Sequence, residues 1–426
     1  MTSNTTSGRR KSGQGGAGRK PSAAKAAAKT SAKPGAKPGA KAAAKTKGAK
    51  TGRKPDPAPK PCPLADAKAN GIRQVMDADG NLTGDLPDPG LDDKTLRELY
   101  EMMVLVRAID DRGWLLQRSG RVEFWIPHRG LEAVHTGATL AFNKEDWIFL
   151  GYRHPGTLLM RGVPLLQLFC QFFGREGEPL KGRRLPTLMG DRRANVVPMT
   201  TQVGSYIPHA CGAAWAAKIK GDATRFMAFF GEGSSSRGEF HSALNFAGVH
   251  KPPVVFMCEN NGWAVTTPTE MQTASATFAE KGDAYGVRNL RVDGNDPLAV
   301  FAVTKEAHEN ADEGATLIEA ITYRMGYHTT SDNPDLYRTA DDVAVWEPWD
   351  PLLRMRKYLE NRDLWDGKRE DALWTQVKAD IDAAVKEAEG MPFPDPSTMF
   401  DDTFAERTWM LEEQCEQLLA ELESRP

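Results

Sequence analysis

Three short apolar runs constrain this chain most: TRFMAFF at 224–230, VVFMCEN at 254–260 and TLIEAITYR at 316–324. Each has the length of a strand. Helical patterns at 207–218, 235–249 and 297–312 separate them, and strand alternating with helix predicts a parallel sheet covered by helices on both faces, an α/β fold. Ahead of the sheet, Leu96, Leu99, Met103, Val106 and Ile109 recur at three- and four-residue spacing, with Asp92 or Asp93 placed to cap the first turn. That pattern predicts a core-facing helix from 91 to about 117. From about 345 the chain turns charged and Trp-rich with long helical periodicity, which predicts a helical C-terminal extension.

Charge divides the chain again. Residues 1–60 hold 16 Lys and Arg against one acid, Asp56, so the net charge of −2 conceals a tail near +15 and a body of 366 residues at −17. The tail has no Leu, Ile, Val or Phe; with nothing to bury, it is expected to be disordered. The expected division is a disordered basic tail at 1–62, an α/β domain at 63–345 and the helical extension at 346–426. A plain solvated tail is the leading reading; the charge also suits an acidic protein partner or a nucleic acid, while a mitochondrial transit peptide fits less well, since those favour Arg and Ser over Lys, Pro and Gly. No run reaches the ~18 apolar residues that a membrane span needs. Five scattered cysteines without C-x-x-C spacing argue against a disulfide framework or zinc site, and no secretory pattern opens the chain. The expected location is therefore cytoplasmic.

The chemistry is expected at strand ends. The 224–230 strand runs into Gly231-Glu232-Gly233-Ser234 and then a helix, whose free N–H groups favour a phosphate. A carboxylate there makes sense only with a cation between it and the phosphate. The next strand ends at Glu259-Asn260-Asn261-Gly262, so Asn261 reaches the same sheet edge 29 residues after Glu232, one right-handed crossover away. A carboxylate, an amide oxygen, a nearby carbonyl, two phosphate oxygens and water complete an octahedral magnesium shell. Alone, a Gly-x-Gly or an Asn-Asn is commonly just a turn; their spacing and strand context join them.

The segment GEGSSSRGEFHSALNFAGVHKPPVVFMCENNGWAVTTP resembles the thiamine-diphosphate motif, and more closely the alpha subunit of the decarboxylating component of 2-oxoacid dehydrogenase complexes. The resemblance runs from about Val75 into the C-terminal region and includes QRSGRVEFW, GYRHPGTLLMRG, RVDGNDPLAV and YRMGYHTTSDNPDLYR. It implies the thiamine-diphosphate-binding fold, with Glu232, the Asn261 side chain and the Trp263 carbonyl as magnesium ligands. Tyr152, Arg153, Thr201, Val203, Gly231, Gly233, Ser234, Asn261 and His328 fall at cofactor positions, and Arg153 would hold the diphosphate by a charge-assisted fork. Glu259 stands where mammalian branched-chain relatives have a phosphate-binding Arg. Thr200, Gln202, Ser205 and Tyr206 align with a potassium loop, in which two residue types differ. His328 follows a strand in a loop almost without aliphatic residues, and the resemblance makes it the catalytic histidine assisting acyl transfer to a lipoyl group.

In that family the glutamate that activates the aminopyrimidine side belongs to a separate beta subunit, so the expected assembly is a heterotetramer whose active site lies between chains. The implied reaction is oxidative decarboxylation of a branched-chain 2-oxoacid, with the acyl group passed to a lipoyl-bearing transacylase; pyruvate is the alternative substrate. A reading of another class is a non-catalytic nucleic-acid-binding or scaffold protein on the same fold. Joint retention of Glu232, Asn261, Arg153 and His328 speaks against it.

Overall fold

The computed structural model describes residues 60–425, so the tail, apart from its last three residues, lies outside the described residues. Among the described residues there are eight strands: β1 (Trp147–Phe149), β2 (Val196–Val197), β3 (Phe226–Gly231), β4 (Val254–Asn260), β5 (Trp263–Ala264), β6 (Thr267–Pro268), β7 (Arg288–Asp293) and β8 (Thr316–Ile321). Six form one all-parallel sheet in the order β2-β1-β3-β4-β8-β7, while β5 and β6 make a small antiparallel ribbon.

The sheet is buried on both faces because its central strands are apolar on both. Met227 and Phe229 of β3 and Val255 and Met257 of β4 enter one core layer. Phe226, Ala228, Phe230, Val254, Phe256 and Cys258 enter the other. The period of two along a strand sends neighbours to opposite faces. Helices Tyr206–Lys220 and Gly238–His250 contribute Ile207, Cys211, Ala214, Phe240 and Leu244 to the second layer. Helix Asp93–Arg118 covers the first, capped by the Asp92 carboxylate, which accepts from the Thr95 N–H at 2.8 Å. All five predicted core positions of that helix are buried.

The C-terminal helices Pro351–Asn361 and Gly367–Gly390 place Leu352, Met355, Leu359, Val377, Ile381 and Val385 in that same first layer. Three strands of the large sheet carried no readable signal. β1 and β2 have only three and two residues, and β7 reads Arg-Asn-Leu-Arg-Val-Asp because it is the outer strand, wet on much of its length. Two helix bounds also move. A 3-10 turn, Glu232–Ser236, precedes the helix expected from 235, which starts at Gly238. The helix expected over 297–312 ends at Glu309, where Asn310 leads into a further 3-10 turn. Among the described residues no helix is long and apolar enough to cross a membrane, and all five cysteines are unpaired and buried.

Candidate cofactor site

The chain proceeds outward from β1 to β2, then returns to lay β3 on β1's other side and continues to β4. Loops leaving the carboxyl ends of β1 and β3 therefore diverge, and ligands of open parallel sheets sit in the crevice so formed. Gly151 to His154 leave β1, and Glu232 to Ser236 leave β3.

On the β3 side, Glu232 is buried at 1 % exposure. Its carboxylate accepts from the Asn261 backbone N–H at 3.3 Å and the Gln272 amide at 3.1 Å. Burial pushes its carboxyl above the ordinary carboxylate range, and these donors together with Arg324 oppose the shift. The Asn261 side-chain oxygen accepts from the Trp263 N–H at 3.3 Å. Gly262, at φ +86°, turns the chain between them, a conformation that side chains resist. Glu232, Asn261 and Trp263 are thus one connected group. A Cβ at Gly233 would stand 2.8 Å from the Ala264 Cβ, so this turn admits only bare backbone. The Ser234 hydroxyl and the Gln272 side-chain oxygen are buried without partners, open polar atoms beside Glu232.

On the β1 side, Arg153 is 4 % exposed. It donates to the carbonyls of Pro127 and His328 and to His328 Nδ1 at 3.1 Å. Arg324 also reaches His328 Nδ1, at 3.2 Å, and donates to the carbonyls of Trp263 and Val265 and the Tyr337 hydroxyl. Arg338 donates to the carbonyls of Arg324, Met325 and Gly326. These partners are carbonyls, a hydroxyl and an imidazole, and none is a carboxylate. Burial and then the like charge of Arg153 pull the Arg324 guanidinium down to about 10. Buried charges are normally paired; these guanidinium groups have only neutral partners.

Burial and the two arginines push His328 down to about 3, so the imidazole is neutral. Nδ1 accepts from both guanidinium groups, which leaves the ring proton on Nε2. Its backbone N–H is held by Asp332, which also accepts from the Tyr337 hydroxyl. The Tyr152 ring lies edge-on, 6.1 Å from the His328 ring, with the Arg153 guanidinium 5.0 Å over it.

Other expected residues stand further out. Thr201 and Val203 are exposed on the loop before helix Tyr206–Lys220, and Gly204 of that loop faces Ser234. Gly231 ends β3. The Thr200 and Ser205 hydroxyls meet each other and the Gln202 carbonyl within 3.0 Å. Tyr206 does not join them through its hydroxyl, which donates to the Phe229 carbonyl at 2.7 Å inside the core. Glu259 belongs to a separate buried group, with His135 and His154 Nε2 each 3.0 Å from its Oε1.

Arg324, Arg338 and Gln272 were not singled out in the sequence. A signal for the arginines was present: Tyr-Arg occurs at 152–153, 323–324 and 337–338, and all three arginines converge here. Gln272 carried none.

The family model described as "Dehydrogenase E1 component" matches residues 100–397. Relatives include the mitochondrial 2-oxoisovalerate dehydrogenase subunit alpha of Mus musculus, 37 % identical over 357 residues, covering 83 % of this chain and 80 % of that protein. The same subunit of Homo sapiens is 37 % identical over 356 residues, with the same coverage. The pyruvate dehydrogenase E1 component subunit alpha of Staphylococcus aureus (strain Mu50 / ATCC 700699) is 38 % identical over 346 residues, covering 80 % of this chain and 91 % of that one.

Proposed function

Because the chain belongs to the dehydrogenase E1 component family, we propose that it is the alpha subunit of a thiamine-diphosphate-dependent 2-oxoacid dehydrogenase, with a branched-chain 2-oxoacid as substrate. The reaction is oxidative decarboxylation, with the acyl group transferred to the lipoyl group of a transacylase. One observation carries this reading. Two buried arginines without carboxylate partners, Arg153 and Arg324, meet on His328, and Arg324 also binds the Trp263 carbonyl of the buried acidic magnesium-type ligand set, which is what a diphosphate bridged by a cation requires.

Bound there, thiamine diphosphate would supply the carbon nucleophile and the electron sink that decarboxylation needs. Arg153 and Arg324 would hold the diphosphate, with the bare turn at Gly233 and the free Ser234 hydroxyl available to it on the β3 side. Glu232, the Asn261 amide oxygen and the Trp263 carbonyl offer magnesium the hard oxygen ligands it prefers. The Trp263 carbonyl keeps a lone pair beside the one Arg324 uses. Thr200, Ser205 and the Gln202 carbonyl offer three oxygens to a potassium ion. Neutral His328, its proton on Nε2, donates a hydrogen bond to a substrate oxygen during acyl transfer without adding charge.

The other end of the cofactor is the work of a second chain. Among the described residues there is one six-stranded sheet and no second α/β layer to close over the crevice. A beta subunit therefore completes the site in a heterotetramer, and the lipoyl-bearing transacylase receives the product. Relatives named for 2-oxoisovalerate and for pyruvate are equally similar, so steady-state rates of the assembled enzyme on both acids test the substrate. A higher kcat/KM on 2-oxoisovalerate is expected; a preference for pyruvate makes this a pyruvate dehydrogenase subunit. Turnover by the purified single chain with magnesium and cofactor would contradict the division of labour.

A further inference from the structure

Outside the cofactor crevice, His135 on helix Glu132–Leu140, His154 at the end of the loop after β1 and Glu259 near the end of β4 converge in the core. Their exposures are 0, 1 and 3 %. The two imidazoles are tilted at 4.1 Å between ring centres, and Phe229 packs against both. Both Nε2 atoms stand 3.0 Å from one carboxylate oxygen, and one ligand atom from each residue lies within 4.8 Å of the others. We propose that His135, His154 and Glu259 bind a transition-metal ion of the zinc class.

Three features of the group argue for an ion rather than a plain hydrogen-bonded cluster. First, only the His154 Nε2 makes an aligned hydrogen bond to the carboxylate. The His135 Nε2, equally close, makes none, so its axis misses the oxygen. The His135 nitrogen thus keeps its lone pair for an ion beside the oxygen, and the His154 nitrogen would exchange its hydrogen bond for that ion. Second, the spacing is nearly right. Tetrahedral zinc with bonds of ~2.0–2.1 Å separates neighbouring ligand atoms by about 3.3 Å; both nitrogen–oxygen pairs stand at 3.0 Å, and all three ligand atoms lie within 4.8 Å of one another. Third, the donor set of two imidazoles and one carboxylate suits zinc over magnesium, which wants oxygen alone. The Nδ1 atoms of both rings lack partners whichever tautomer is present, so they do not decide between the two cases.

Such an ion would tie the segment next to Arg153 to the strand that delivers Asn261. It would thereby fix the two walls of the crevice against each other, with no direct part in the chemistry.

The test uses the full chain, purified with its beta subunit and without a polyhistidine tag or chelator, and requires no turnover. Elemental analysis should find one zinc-class ion per chain. Protein grown in cobalt should show the visible d–d absorption of a low-symmetry nitrogen–oxygen site. Glu259→Gln and His135→Gln should each lower bound metal at least about ten-fold. Glu232→Ala should leave metal content and absorption unchanged, separating this site from the magnesium ligands. Wild-type protein without stoichiometric metal and without cobalt absorption would overturn the proposal and leave a carboxylate clamped by two N–H donors. Metal that survives both ligand substitutions would overturn it too, by placing the ion elsewhere.

Discussion

Two sets of buried arginines in this molecule have opposite surroundings. Arg354 is fully buried with Asp293 at 2.9 Å and also holds the carbonyls of Met76 and Asp77. Arg107 is shared between Glu132 and Asp350. These pairs lock the segment after Arg73, the end of β7 and the first C-terminal helix together. Arg153, Arg324 and Arg338, also buried, meet carbonyls, a hydroxyl, an imidazole and the rings of Tyr152 and Tyr323, and no carboxylate. The first set completes its electrostatics within the fold. The second awaits an anion from outside, and that difference separates architecture from binding site.

The comparison breaks most visibly through mutation of one arginine from each set. Arg354→Leu leaves Asp293 and Asp296 buried without their cation, and should cost about 3–5 kcal/mol of unfolding free energy in urea titrations. A loss under about 1 kcal/mol would show that this set is not structural. Arg324→Leu in the same titration should leave stability equal or higher, because it removes a buried charge that has no counter-charge. Its cost should appear as at least a ten-fold weaker affinity for thiamine diphosphate, since each charge-assisted hydrogen bond contributes about 1.5–3 kcal/mol.

Glu232→Ala sharpens the comparison from the acidic side. It removes the one charged protein ligand proposed for magnesium, so calorimetric affinity for thiamine diphosphate should fall about ten-fold or more, and added magnesium should no longer raise it. Unchanged affinity would remove Glu232 from the site.

A smaller effect follows from His328. Its native pKa lies well below the unfolded value of about 6.5, so as pH falls the unfolded chain takes up a proton that the native chain refuses. Stability is therefore lost below about pH 6.5, down to about pH 3. At pH 5 the loss is about 2 kcal/mol. The His328→Asn variant should lose correspondingly less between pH 7 and 5 in the cofactor-free protein. Parallel curves for the two proteins would mean that His328 is not held neutral by its arginines. Smallest of all, deleting residues 1–59 removes most of the basic tail and no Leu, Ile, Val or Phe. Melting temperature and turnover should not change, and a loss of turnover at low salt would make the tail part of the catalytic unit.

How much of this was legible follows from where the information is stored. The central strands β3, β4 and β8 and the helices between them were readable because burial on both faces demands an unbroken apolar run. β1, β2 and β7 were not: the first two are too short for a period, and β7 takes its place from pairing with β8 while its own residues are half wet. In the site, Glu232 and Asn261 were readable from local spacing at strand ends. Arg324 lies in a segment the resemblance covered, but it meets Arg153, 171 residues away, only by sharing the His328 ring with it, and only folding reveals that. Glu259 shows the reverse case. It stands where branched-chain relatives have a phosphate-binding Arg, and the carboxylate is held in the core by His135 and His154, two histidines that nothing local to Glu259 could announce.

The central claim is that the unpaired arginines exist for a diphosphate, and the most direct measurement compares ligands with and without one. Calorimetric titrations of the assembled enzyme with thiamine diphosphate and with unphosphorylated thiamine, both with magnesium, should differ in affinity by about 100-fold or more, as two charge-assisted contacts require. In an Arg153→Leu, Arg324→Leu double variant that ratio should shrink to about the ten-fold that the magnesium ligands supply, through loss of the diphosphate ligand's advantage alone. A wild-type enzyme that binds the two ligands equally well, or a double variant that keeps the full ratio, would contradict the account.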